Sequence, residues 1–276
     1  MKILYITGCT HSGSTLVARL LNQHERIFAA GELQYLDVYW GPTARRCSCG
    51  EHALRCPVWS EVFWKFQEGN VLRPLFSRLS AERPAEWRRA FSSRNGSAFT
   101  KLFVKQNLDL FRVIAEVSGA EVILDSSKNV WRLLLLWRAV PERIYVLHLL
   151  RSPEGQIGSR IRRSRRSFWR AALGEYLRVN LNIRWLFAGH ARYRKVRHED
   201  LVARPEETLR GIAEWLGIDY QDPFTRPLAD CHDIGGNPWT KRDSRDLRPD
   251  PARVDHVHPF SEPQRLALSL LRRICY

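Results

Sequence analysis

Acidic side chains are few for a chain of 276 residues: 29 Asp and Glu stand against 44 Lys and Arg, a net charge of +15 and a pI near 10.1. That balance argues against a cationic partner and for an anionic one, whether nucleic acid, a nucleotide, a sulfated or phosphorylated substrate, or an acidic membrane face. Long hydrophobic runs are also missing. The longest, VWRLLLLWRAV at 130–140, is short and carries two arginines, far below a membrane span. MKILYITG reaches its glycine after too few apolar residues for the core of a secretory signal, so a soluble, cytoplasmic chain is expected. Six cysteines are too sparse for a secreted disulfide scaffold and agree with a reducing compartment. No repeat period, low-complexity linker, or Ser-His-Asp or Cys-His arrangement emerges from the spacing.

Against these gaps stands the composition of a globular protein with a sizeable core. KILYIT (2–7), EVILD (121–125), IYVLHLL (144–150) and RKVRH (194–198) read as buried parallel strands, with helical segments between them. Pro205, Glu206, Glu207 and Gly217 mark the ends of one helix, with Leu209, Ile212, Ala213 and Leu216 on its apolar face. Ala267, Leu270, Leu271 and Ile274 give the tail the same pattern. The expected fold is α/β: a mostly parallel, P-loop-type sheet flanked by helices on both faces, forming a single domain over 1–276 with an irregular helical insertion at about 47–96. Ligands of such sheets bind at the carboxyl ends of the strands, where Gly8, Asp125 and Arg151 fall.

The stretch ITGCTHSGSTLVARLL (6–21) has the glycine spacing of a phosphate loop between a strand and a helix, yet Ser14 stands where that loop has its lysine. Backbone amides, the helix amino terminus and the hydroxyls of Ser14 and Thr15 still cradle an anion. The missing charge removes most of the case for a kinase or ATPase. A 5′-phosphate joined to a second small anion fits better than a triphosphate, and His11 is the loop's only ionisable side chain.

Further along, Glu32 follows Gly31 at a distance from the loop that leaves room for a helix and the next strand, which suits a base acting on a hydroxyl. Lys128 directly follows a buried-type strand and suits charge stabilisation on a leaving group, with pairing to Asp125 as the ordinary alternative. Arg151 at a strand end and Ser159 in the helix begun by Pro153 describe a second phosphate site. The run SRIRRSRRSFWR (159–170) fits a polyanionic acceptor or a solvated helix face. Cys47, Cys49, His52 and Cys56 are zinc-capable, but their spacing is not the usual knuckle, and free thiols or a local disulfide fit it better.

Together these residues resemble the sulfotransferases that use 3′-phosphoadenosine 5′-phosphosulfate (PAPS). CTHSGST is similar to their 5′-phosphosulfate loop, Arg151 with Ser159 to their 3′-phosphate motif, and RHEDLVARPEETLRGIAEWLGI and HDIGGNP to later segments. The resemblance implies that His11, Ser12, Gly13, Ser14 and Thr15 hold the 5′-phosphosulfate and that Arg151 and Ser159 hold the 3′-phosphate. It makes Glu32 the base and Lys128 the residue that steadies the bridging oxygen. His11 stands where the family has a basic loop residue, so either the bound anion protonates His11 or Lys128 takes a larger share of that role. His198 stands where the family has an adenine-contacting tyrosine, and Lys241 with Arg242 would close over the 3′-phosphate.

The implied reaction is sulfuryl transfer from PAPS to an acceptor hydroxyl, foremost on a carbohydrate such as an anionic glycan, leaving adenosine 3′,5′-bisphosphate. No metal is implied, and nucleic acid is a lesser expectation as partner. An atypical P-loop kinase and a basic nucleic-acid-binding module are the competing readings.

Overall fold

A computed structural model describes residues 1–40, 45–69, 98–163, 169–224, 231–235 and 260–276. Its centre is a five-stranded sheet in the order β2-β3-β1-β4-β5, every pair of neighbours parallel. The strands are β1 (Lys2–Thr7), β2 (Ile27–Gly31), β3 (Val122–Lys128), β4 (Ile144–Leu150) and β5 (Tyr193–Arg197). Between and around them run α1 (Ser14–Leu21), α2 (Pro57–Gly69), α3 (Ala98–Ser118), α4 (Val130–Ala139), α5 (Pro153–Arg163), α6 (Trp169–Phe187), α7 (His198–Ala203), α8 (Pro205–Leu216) and α9 (Glu262–Cys275).

The two-residue alternation along β1 sorts the core into two layers. Ile3 and Tyr5 pack with Trp59, Phe63 and Phe66 of α2, Phe111 and Ile114 of α3, and Leu133 and Leu136 of α4. On the opposite face, Leu4 and Ile6 pack with Val17, Leu20 and Leu21 of α1 and Leu209, Ile212 and Leu216 of α8. Both sides of each central strand are therefore covered, which is why these strands read as near-continuous apolar runs. A third cluster joins Leu150, Ile157, Tyr176, Leu268 and Leu271 near the end of β4.

Several boundaries differ from the sequence reading. The strand begun by EVILD continues through Ser126 and Ser127 to Lys128, because the polar groups find partners: Asp125 Oδ1 accepts from Ser127 N–H at 2.9 Å. Asp125 itself is fully buried and paired with Arg132, whose Nη2 also donates to Asn107 at 2.6 Å. It is a core residue, not part of the ligand face, and not the partner of Lys128. His198 opens α7 instead of ending β5.

In α9 the buried stripe is Leu268, Leu271 and Cys275, whereas Leu270 and Ile274 are exposed. Aliphatic residues surround this helix, so periodicity alone left its facing undecided. The insertion is more regular than expected, for Pro57–Gly69 is a helix that buries Trp59, Val62, Phe63 and Phe66 in the main core. Its residues 70–96 lie outside the described residues. Among the described residues, no helix is long and apolar enough to cross a membrane.

Candidate functional site

β1 ends at Thr7, and the chain reaches α1 through a loop with three positive-φ backbones, Gly8 at 143°, His11 at 65° and Gly13 at 96°. Gly13 is the N-cap and has no side chain to satisfy the first helical amides, so the amino end of α1 stays open to an anion. The loop is tied from behind: Arg151 Nη1 donates to the His11 carbonyl at 3.2 Å, and Gln156 Nε2 to the Thr10 carbonyl at 2.8 Å. Ser12 Oγ is buried with no hydrogen-bond partner.

His198 closes the back of this loop. A Cβ on Gly13 would lie 2.5 Å from His198 Nδ1, so only glycine fits. Burial, aided by the positive charge of Arg151, pushes His198 down to about 4, so the ring is neutral at physiological pH. Its Nδ1 is a second buried polar atom without a partner beside the loop.

Across the loop, Lys128 ends β3 with a left-handed backbone at φ 64°, where the register between β1 and β3 shifts. The Lys128 ammonium donates to Glu32 Oε1 and, at 3.2 Å, to Ser14 Oγ. Both side chains of this ion pair are largely buried, 15% and 11% exposed. Glu32 is held from behind by 231–235: its N–H donates to the Ile234 carbonyl at 2.7 Å, while Ile234 N–H donates to the Ala30 carbonyl at 3.1 Å. This close approach needs Gly31, where a Cβ would come within 2.0 Å of the Ile234 oxygen.

The structure thus gathers His11, Ser12, Gly13, Ser14, Glu32, Lys128, Arg151 and His198 around one loop. Ser159 is buried on α5, the helix that follows Arg151 directly. Thr15 lies in the first turn of α1. Lys241 and Arg242 fall outside the described residues. So does much of the arginine run; within its described part, Arg160 pairs with Glu175 and is not a free cation.

Other supports had weaker signals in the sequence. Gly155 leaves room for Arg151, whose Nε would lie 2.8 Å from a Cβ there. Tyr176 Oη donates to the Arg151 carbonyl at 2.8 Å. Glu199 Oε1 accepts from Ser152 N–H at 3.0 Å and its Oε2 from Tyr276 Oη at 2.7 Å. Burial opposes charge on Glu199, but these hydrogen bonds prevail and hold its carboxyl below the usual range. Only its place beside Asp200 and Leu201 in an E-D-L segment marked it.

The cysteine group is also rearranged. His52 caps a short turn, its Nδ1 accepting from Leu54 N–H at 3.3 Å. The histidine beside Cys56 is His232, with its Nδ1 3.2 Å from the sulfur.

Comparison with known structures bears out the fold. The sulfotransferase domain of the Synechococcus PCC 7002 olefin synthase superposes with a TM-score of 0.57 at 21% identity, covering 99% of this chain and 94% of that one. The sulfotransferase domain from the curacin biosynthetic pathway gives 0.61 at 17% identity, covering 98% and 97%. No curated protein sequence matches significantly. A profile of the "Sulfotransferase family" matches residues 4–222, which include the loop, Glu32, Lys128, Arg151 and His198, and the chain therefore belongs to the sulfotransferase family.

Proposed function

We propose that the chain transfers a sulfuryl group from PAPS to an acceptor hydroxyl on a carbohydrate, with Glu32 as base and Lys128 as the cation at the leaving oxygen. The observation that carries this reading is the Lys128 ammonium held between Glu32 and Ser14 at the open end of α1. The loop fits the donor's anionic end: Ser12 Oγ and His198 Nδ1 are buried polar atoms in want of partners, and Gly13 leaves the approach clear.

When bound, PAPS supplies a sulfuryl group whose bond to the 5′-phosphate oxygen breaks as a bond to the acceptor oxygen forms. Glu32 receives the proton that the acceptor hydroxyl loses. Lys128 offsets the charge left on the phosphate oxygen. An anion delivered to Ser14 competes with Glu32 for the Lys128 ammonium, so donor binding loosens the ion pair and frees the carboxylate for the acceptor. His11 keeps its loop in place through its carbonyl, and Lys128 takes the larger share of the missing lysine's charge. The Arg151 guanidinium, set beside the loop by its bond to the His11 carbonyl, holds the 3′-phosphate together with Ser159.

Glu32→Gln should remove turnover while sparing affinity for adenosine 3′,5′-bisphosphate, read by a thermal-shift titration beside ATP and AMP. Normal turnover in that variant would reject Glu32 as base, and stabilisation by ATP alone would reject the donor. The relatives named above come from an olefin synthase and the curacin pathway. An acceptor panel should therefore set glycans against small alcohols. Sulfation of the alcohols alone would move the acceptor away from carbohydrate and leave the transfer chemistry standing.

A further inference from the structure

Behind Glu32, away from the phosphate loop, two segments far apart in sequence bring four soft or borderline ligands together. Cys47, Cys49 and Cys56 come from the stretch before α2 and His232 from 231–235, and their sulfur and ring-nitrogen atoms all lie within 4.8 Å of one another. A tetrahedral zinc with ordinary bond lengths places such atoms about 3.5 to 3.8 Å apart. Contraction by at most about 1.3 Å would close the shell. Cys47 and Cys56 are buried, and all the cysteines are thiols in the structure, none in a disulfide.

The backbone around these ligands is already fixed. Gly50 N–H donates to the Cys47 carbonyl at 3.0 Å in a turn where Gly50 has φ 95°. The two segments are stitched to each other by Ser48 N–H to the Asp233 carbonyl at 3.2 Å, Ser48 Oγ to the Cys231 carbonyl at 2.6 Å, and Trp59 Nε1 to the His232 carbonyl. Hydrogen bonds of the protein itself thus position both ligand-bearing segments. Three thiolates and an imidazole select zinc over magnesium or calcium, which prefer oxygen, and four protein ligands leave no open coordination position.

We propose that Cys47, Cys49, Cys56 and His232 form a structural Cys3His zinc site that clamps 231–235 against the end of β2, which Glu32 directly follows. As the cation binds, the three thiols release their protons and His232 coordinates as the neutral ring. Two residues beyond His232, Ile234 holds the backbone of Ala30 and Glu32. The site is therefore a positioning device, and it stands whether or not sulfuryl transfer is the reaction.

The test uses the full chain, purified under reductant from zinc-supplemented cells. Elemental analysis should find about one zinc per chain, and cobalt exchanged into the site should give a thiolate-to-metal charge-transfer band with the intense visible bands of tetrahedral Co(II). Cys56→Ser and His232→Ala should each weaken metal binding at least about tenfold. His52→Ala and Cys275→Ser should leave it unchanged, and His232→Cys should retain the metal with a cobalt spectrum shifted toward four thiolates. If a ligand variant does not fold, the wild-type stoichiometry and cobalt spectrum decide alone. Wild-type protein that takes up no zinc or cobalt, or that carries a disulfide within this group when handled anaerobically, would overturn the site. So would unchanged binding in Cys56→Ser and His232→Ala.

Discussion

Lys128 Nζ lies 3.2 Å from Ser14 Oγ, so an ammonium from the end of β3 reaches the residue that stands where a phosphate loop would carry lysine. The charge absent from α1 in sequence is present in space, supplied from a neighbouring strand. Its backbone is held in a left-handed conformation that an ordinary strand end would avoid. The same ammonium holds Glu32, so the proposed base and the proposed anion site share one cation.

Replacing Lys128 by Met keeps the length of the side chain and removes the charge. We expect kcat to fall about 10²- to 10³-fold, with a smaller loss of affinity for adenosine 3′,5′-bisphosphate. Steady-state kinetics beside calorimetric titration separates the two. Equal losses in both would make Lys128 a binding residue only.

Gly13→Ala faces two penalties, a left-handed backbone at φ 96° and a methyl group within 2.5 Å of His198 Nδ1. The backbone contribution alone is about 1–3 kcal/mol. Pairing it with His198→Ala relieves the clash but not the backbone, so the double variant should be less destabilised than the sum of the singles in urea denaturation. Strict additivity would mean that the two residues do not meet.

The comparison of these residues with the sequence shows what a linear reading can carry. Strands β1 and β4, the loop, and α8 with its Gly217 stop were legible because burial on both faces leaves apolar runs and because helix ends have specific chemistry. The facing of α9 was not, since Leu270, Leu271 and Ile274 are equally apolar and only tertiary packing chooses among them. Site residues announced by a loop or a strand end were likewise visible. What stayed hidden were pairings across the chain: Lys128 with Glu32, Asp125 with Arg132, and Cys56 with His232, separated by 176 positions. Spacing cannot report which of several carboxylates or histidines the fold brings near.

The Asp125–Arg132 pair beneath the site should behave as a structural element. Both side chains are essentially inaccessible, and the guanidinium lies 5.7 Å from the Tyr5 ring centroid and 5.8 Å from that of Phe111. Removing one partner strands a buried charge, so Asp125→Ala should cost about 3–5 kcal/mol in chemical denaturation. Replacing both, as Asp125→Leu with Arg132→Met, should cost less than the sum of the singles. A loss below about 1 kcal/mol for Asp125→Ala would mean that the charge finds another partner.

Two buried histidines set the acid limb of the stability profile. Burial lowers His148 to about 4, and its ring bridges Tyr193 Oη at 2.9 Å and Asn180 Oδ1 at 3.0 Å. His198 is lowered to the same value by burial and Arg151. Because both folded-state values lie below the ordinary 6.5, the unfolded chain binds protons that the folded chain refuses as pH falls from about 6.5 to 4. Stability should therefore be highest above about pH 6.5, drop through that window by up to about 3 kcal/mol per histidine, and then level off in this contribution. Glu199, with its carboxyl held low, adds loss in the same direction at the acid end. Urea denaturation between pH 7.5 and 4.5 should show the slope, and His148→Gln and His198→Gln should each flatten it. A slope unchanged in both variants would place the acid sensitivity in the carboxylates instead.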